Sequence, residues 1–138
     1  MEIVAGNAQE LTPAVMQRIA RYRHKVFVES LGWQLRCADG MELDQFDRPD
    51  TVYVAAKLRG EVAGTARLLP TTRPYLLGDV FPQLLNGAVP PASAEVWELS
   101  RFAATPDSAG SGGALGHLSS PLAVKLLSAC LACAHARG

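Results

Sequence analysis

At 138 residues and 14.7 kDa the chain has the size of one domain, leaving no room in these residues for a second. Apolar residues make up 49% and charged residues 19%, which allows a sizeable core and argues against wholesale disorder. Thirteen basic side chains balance thirteen acidic ones. The chain therefore lacks the basic excess of a dedicated nucleic-acid binder, and it has no uninterrupted apolar run of about 18 residues to span a membrane.

The three cysteines, Cys37, Cys130 and Cys133, are an odd number and make no disulfide framework. Cys130 and Cys133 form a Cys-x-x-Cys without the second pair a zinc site needs. The motif also sits deep in an apolar helical run rather than at a helix start, so both read as small core residues. Residues 1–9 lack a basic region followed by an apolar run, so no secretory signal is expected. A reduced, cytoplasmic setting fits best.

In chain order, Thr12 is placed to cap a helix with Pro13 at its first position. Leu11, Val15, Ile19, Tyr22 and Val26 recur on one face, and Gly32 marks the stop after Ser30. Residues 33–50 read as a long loop with a local acidic excess of Asp39, Glu42, Asp44, Asp47 and Asp50 over Arg36 and Arg48. Residues 51–58 and 62–69 read as antiparallel strands around an Arg59-Gly60-Glu61 turn. Residues 75–94 are loop or short helical turns, 95–103 a third strand, and 105–120 a mobile Gly/Ser/Pro-rich stretch. Pro121 opens a second helix reaching Arg137, so apolar that burial on most of its sides is expected.

Four constellations stand above this scaffold. Arg23 and Phe27, four apart, share a helix face, and Trp33 follows just past the helix end. Glu42-x-Asp44-x-x-Asp47 clusters carboxylates that could face an amino group, a sulfonium or a metal, although the spacing and glycine of a calcium loop are absent. Arg67 sits within an apolar strand, where a buried arginine must be paired. In Trp97-Glu98-Leu99-Ser100-Arg101-Phe102, Glu98 and Ser100 occupy one strand face and Arg101 the other. Both charges can serve one cleft only if the strand bulges or splays. Together these residues suggest one ion-pair cluster lining a site. Gly110-x-Gly112-Gly113 meets neither nucleotide-binding fingerprint, and His24, His117 and His135 have no paired nucleophile.

Taken in order, the segments YRHKVFVESLGWQL, GMELDQFDRPDTVYV, GTARLLPTTRPYLLGDVFPQLL and VWELSRFA resemble the acyl-homoserine-lactone synthases, the LuxI-type autoinducer synthases of quorum sensing. The resemblance covers about residues 20–104. The family's invariant positions correspond to Arg23, Phe27, Trp33, Asp44, Asp47, Arg67, Glu98 and Arg101, with Phe81 as a further match. It implies a GNAT-like α/β fold: a twisted mixed sheet flanked by helices and split by an opening for the acyl donor.

The resemblance also implies two substrates and no cofactor. S-adenosylmethionine supplies the lactone part, and an acylated acyl carrier protein supplies the acyl chain as a thioester. Acylation of the methionyl amine comes first. Lactonisation follows, with release of methylthioadenosine. On this reading Glu98 is the base and Arg101 assists the oxyanion. Arg23, Phe27 and Trp33 form the wall and carboxylate contact of the adenosylmethionine pocket, to which Phe81 also belongs, and Asp44, Asp47 and Arg67 hold the cluster and face the sulfonium. No metal is assigned. Family members continue beyond the second helix, so residues 1–138 read as a single, incomplete synthase domain without its C-terminal strands, expected to be unstable or inactive alone. The competing readings are a coenzyme-A-dependent N-acetyltransferase on the same fold, for which residues 105–121 lack the pyrophosphate loop, and a non-catalytic synthase remnant that only binds a substrate.

Overall fold

A computed structural model of the chain describes residues 1–105 and 120–138. The Gly-rich stretch with Gly110, Gly112 and Gly113, and His117, lies outside the described residues. The described elements are β1 (Glu2–Gly6), α1 (Pro13–Arg23), a π-helical extension (His24–Ser30), β2 (Cys37–Ala38), β3 (Met41–Glu42), β4 (Val52–Leu58), β5 (Glu61–Pro70), α2 (Leu76–Asp79), a short 3-10 turn (Pro82–Leu85), β6 (Trp97–Ala104) and α3 (Pro121–Ala136).

The main sheet has the order β1-β4-β5-β6, and all its pairings are antiparallel. Side chains alternate across β4. Val52, Val54 and Ala56 pack with Leu122, Ala123, Leu126 and Cys130 of α3, while Tyr53 and Ala55 pack with Ile19 of α1. Helices thus cover both faces, as the α/β reading requires, on a sheet that among the described residues is antiparallel rather than mixed. Gly64 lets α3 come close: a Cβ there would meet Leu126 Cδ2 and the Ala103 carbonyl at 3.2 Å each.

Local chemistry explains the element ends. Thr12 Oγ1 accepts from Val15 N–H at 3.2 Å with Pro13 next in line, as the sequence suggests. Beyond Arg23 the helix widens into a π turn, with Leu31 N–H bonding Val26 C=O and Trp33 N–H bonding Phe27 C=O at 2.8 Å. The β4–β5 turn places Arg59 and Gly60 at φ 54° and 80°, the conformation that matches the twist of a tight hairpin.

Three expectations change. β1 was not foreseen. The loop at 33–50 contains the β2–β3 ribbon, turning at Asp39-Gly40. α3 is not buried on most sides: lying on one sheet face, it hides Leu122, Ala123, Leu126 and Cys130 and leaves Val124, Leu127 and Leu131 exposed.

Candidate active site

β6 carries the bend on which the site depends. In register, Thr65 faces Ala103 and Arg67 faces Ser100. One β5 residue therefore opposes two on β6, Arg101 and Phe102, which is a β-bulge. Arg101 adopts φ 51° there. The bulge turns Arg101 toward the face that Glu98 and Ser100 already share, as two charges in one cleft demand.

Three arginines and three carboxylates then meet over the α1 face of the sheet. Arg23 gives Nε to Glu42 at 2.9 Å and both terminal nitrogens to Asp47 at 2.7 and 3.0 Å. Arg67 bonds Asp44 through Nη1 at 2.6 Å, Asp47 at 3.3 Å, and its cross-strand neighbour Ser100 through Nε at 3.0 Å. Arg101 gives Nε to Glu42 at 2.8 Å and Nη2 to Asp44 at 3.2 Å. Tyr53, opposite Arg67 on β4, donates its hydroxyl to Asp47 at 2.8 Å.

The electrostatics follow from this pairing. Burial pushes the Asp47 carboxyl up, but the Arg23 guanidinium outweighs it and holds the group down to about 2. Burial likewise works against the Glu42 carboxylate, and the bonds from Arg101 and Arg23 overcome it, leaving its pKa below the usual value. Burial opposes the Arg23 charge, and Asp47 more than restores it. Burial and the neighbouring Asp47 charge hold the Tyr53 phenol neutral well above its ordinary range. Three guanidinium groups thus face three carboxylates, and Asp44 is the least enclosed of these, at 17% exposure against 6% for Asp47 and 1% for Glu42.

A cleft of about 860 Å³ opens above it. Glu42, Asp44 and Arg101 form its charged floor, Trp33 and Leu43 one wall, and Leu76 and Phe81 the other. Trp33 stacks on Phe27 with centroids 4.7 Å apart, and the Arg101 guanidinium lies over both rings at 5.6 and 5.9 Å. Glu98 stands behind Leu76, its two oxygens accepting the N–H groups of Leu76 at 3.0 Å and Leu77 at 2.7 Å.

Arg23, Asp44, Asp47, Arg67 and Arg101 therefore form one cluster; Trp33 and Phe81 line the cleft, whereas Phe27, stacked on Trp33, and Glu98, bonded to the Leu76 and Leu77 amides, do not line it. Arg23 is fully buried, and each of its guanidinium nitrogens is engaged by Glu42 or Asp47. Glu42 was visible only as part of a carboxylate run, yet it joins Arg23 to Arg101. Tyr53, Ser100 and the Leu76 and Leu77 amides carried no separate sequence signal. Among the described residues no group of three or more His, Cys, Asp or Glu could hold a metal ion.

A sequence model of the autoinducer synthases matches residues 7–138. An acyl-homoserine-lactone synthase of Acinetobacter nosocomialis is 48% identical over 139 residues, covering 100% of this chain and 76% of the relative. The chain belongs to the autoinducer synthase family. The fold agrees. TofI, solved in a ternary complex with an inhibitor and MTA, superposes with a TM-score of 0.82 at 46% identity, over 100% of this chain and 68% of TofI. BjaI, a CoA-dependent acyl-homoserine lactone synthase solved with SAM and isopentyl-CoA, gives 0.77 at 32% identity, over 97% of this chain and 60% of BjaI. This autoinducer synthase chain is thus an acyltransferase by family, spanning 60% to 76% of the length of these three relatives.

Proposed function

We propose that the cleft binds S-adenosylmethionine and that the synthase carrying these residues acylates its α-amine from a thioester donor, then closes the lactone. The observation that carries the reading is the neutral floor of three arginines and three carboxylates beneath the stacked Phe27–Trp33 pair. The aromatic wall offers a face for the adenine or the sulfonium, and Asp44 offers it negative charge. Glu98 takes the amine proton, directly or through one water, as the nitrogen attacks the thioester carbonyl and the thiol leaves. The oxyanion meets donors at the β6 bulge, where Arg101 and Phe102 have no register partner on β5. The methionyl carboxylate then forms the O–Cγ bond as the Cγ–S bond breaks, releasing methylthioadenosine. The protein's part in that step is to fold the chain back on itself.

An acylated acyl carrier protein is the proposed donor. The CoA-dependence of BjaI makes acyl-coenzyme A the second reading. The reaction is proposed to need no metal or other cofactor, since S-adenosylmethionine is consumed as substrate. Lactone formation followed with each donor in turn tests the assignment: lactone and methylthioadenosine in equal amounts with the carrier protein support it, turnover only with acyl-coenzyme A moves it to the second reading, and acylation of other amines without S-adenosylmethionine contradicts both.

A further inference from the structure

We propose that Phe46 is a positioning residue of this site: its ring is the acceptor for two guanidinium groups, that of buried Arg67 in the cluster and that of half-buried Arg48 in the neighbouring loop. Phe46 is 3% exposed, borders the cleft, and sits between the carboxylates Asp44 and Asp47 and Arg48. The Arg67 and Arg48 guanidinium carbons each lie over its ring, 5.9 Å from the centroid. Both arginines are engaged through Nε and Nη1: Arg67 to Ser100, Asp44 and Asp47, and Arg48 to Asp50 and, at 2.6 Å, the Pro74 carbonyl. In both, Nη2 is buried and has no hydrogen-bond partner.

Two orphaned guanidinium nitrogens beside one aromatic ring have a common physical explanation. The face of a benzene ring is negative and attracts a desolvated cation, so it substitutes for the missing acceptors. A leucine would fill similar space without that field. The consequence reaches both walls of the cleft. Arg67 holds Asp44 and Asp47, whereas Arg48 grips the Pro74 carbonyl next to Tyr75 and Leu76, and the Leu76 amide orients Glu98. Phe46 thereby sets the spacing between the charged floor and the loop that carries the Glu98 contacts. Its effect on substrate rests on the proposed binding of S-adenosylmethionine; its hold on the two arginines does not.

The test replaces Phe46 in the full chain by mono-, di- and trifluorinated phenylalanine, which weaken the ring's field stepwise at nearly constant shape. Two quantities are followed: the Nε–H resonances and exchange rates of Arg67 and Arg48 by NMR, assigned with the variants R67K and R48K, and the affinity for S-adenosylmethionine by calorimetry. The expected result is guanidinium exchange that quickens with each fluorine and affinity that falls by about tenfold across the series. F46L, checked for retained sheet amide signals, is expected to match the trifluorinated form. Exchange that is flat across the series overturns the proposal. A guanidinium response with unchanged affinity overturns the positioning role. Failure of the unsubstituted chain to bind S-adenosylmethionine removes the proposed function, and the guanidinium readout then decides the role of Phe46 by itself.

Discussion

Arg23 and Asp47 meet in a double hydrogen bond, Nη1 to Oδ1 at 2.7 Å and Nη2 to Oδ2 at 3.0 Å, with the arginine fully buried. This pair fastens the end of α1 to the carboxylate loop, 24 residues away in sequence. It also places Asp47 where Arg67 and Tyr53 reach it, so helix, loop and two strands share one charged node.

Removing that charge should be costly. Asp47→Asn leaves Arg23 and Arg67 buried with one carboxylate fewer, and breaking a buried pair from one side typically costs about 3–5 kcal/mol. Urea unfolding followed by fluorescence should show a loss of that order. The pH dependence has a definite sign. Because Asp47 titrates near 2 in the folded chain rather than at its usual 3.8, its contribution is present above the higher value and is lost as pH falls from about 4 toward 2. That contribution is on the order of 2 kcal/mol. The Asp47→Asn variant should lack this part of the acid slope.

Glu98→Gln separates binding from chemistry. The amide keeps one oxygen for the Leu76 or Leu77 N–H but cannot take a proton from the amine. Acylation should fall by about 10²–10⁴, while S-adenosylmethionine affinity stays within about threefold. An unchanged lactone yield would remove Glu98 from the reaction.

Trp33 offers an optical readout. It is 43% exposed and stacked on Phe27, so ligand entry should alter its emission, whereas Trp97 borders the separate β6–α3 groove. Trp33→Phe should abolish the signal and keep most of the affinity. Trp33→Ala should lose about tenfold or more in affinity, since an aromatic contact of this kind is worth roughly 0.5–1.5 kcal/mol beyond its buried area.

Much of this site was legible in the sequence, and what was not has physical reasons. The cap at Thr12 and the β4–β5 hairpin follow from local chemistry that tertiary contacts did not override. The need for a bulge could be argued from Glu98 and Arg101 alone, because neighbouring residues on a flat strand face apart. β1 escaped notice because it is an edge strand of five residues with one well-buried position, too short for periodicity to show. The β2–β3 ribbon did have a signal, Asp39-Gly40, a pair suited to a tight hairpin turn. It was masked by the acidic residues around it. The inward role of Arg23 was hidden for a different reason: helical spacing gives a face, not the partners that come to it from residues 42 and 47. Composition alone misjudged α3, since an apolar helix on a sheet still buries only the stripe that touches the sheet.

The cysteines should divide by location. Burial holds the Cys130 thiol up at about 11, so it should resist iodoacetamide at pH 8 in the folded chain. Exposed Cys37 should be alkylated first, read by mass spectrometry of peptides. Equal labelling of both in the native chain would contradict the packing of α3.

The central claim is that the cleft over the Arg23, Arg67 and Arg101 cluster is an S-adenosylmethionine site. Calorimetric titration of the chain with S-adenosylmethionine, repeated in the presence of methylthioadenosine and beside acetyl-coenzyme A, tests it most directly. The expected result is one site per chain, a dissociation constant in the range of about 1 μM to 1 mM, competition by methylthioadenosine, and loss of affinity in Trp33→Ala. No heat with S-adenosylmethionine, or equal binding of it by the unaltered chain and Trp33→Ala, would contradict it.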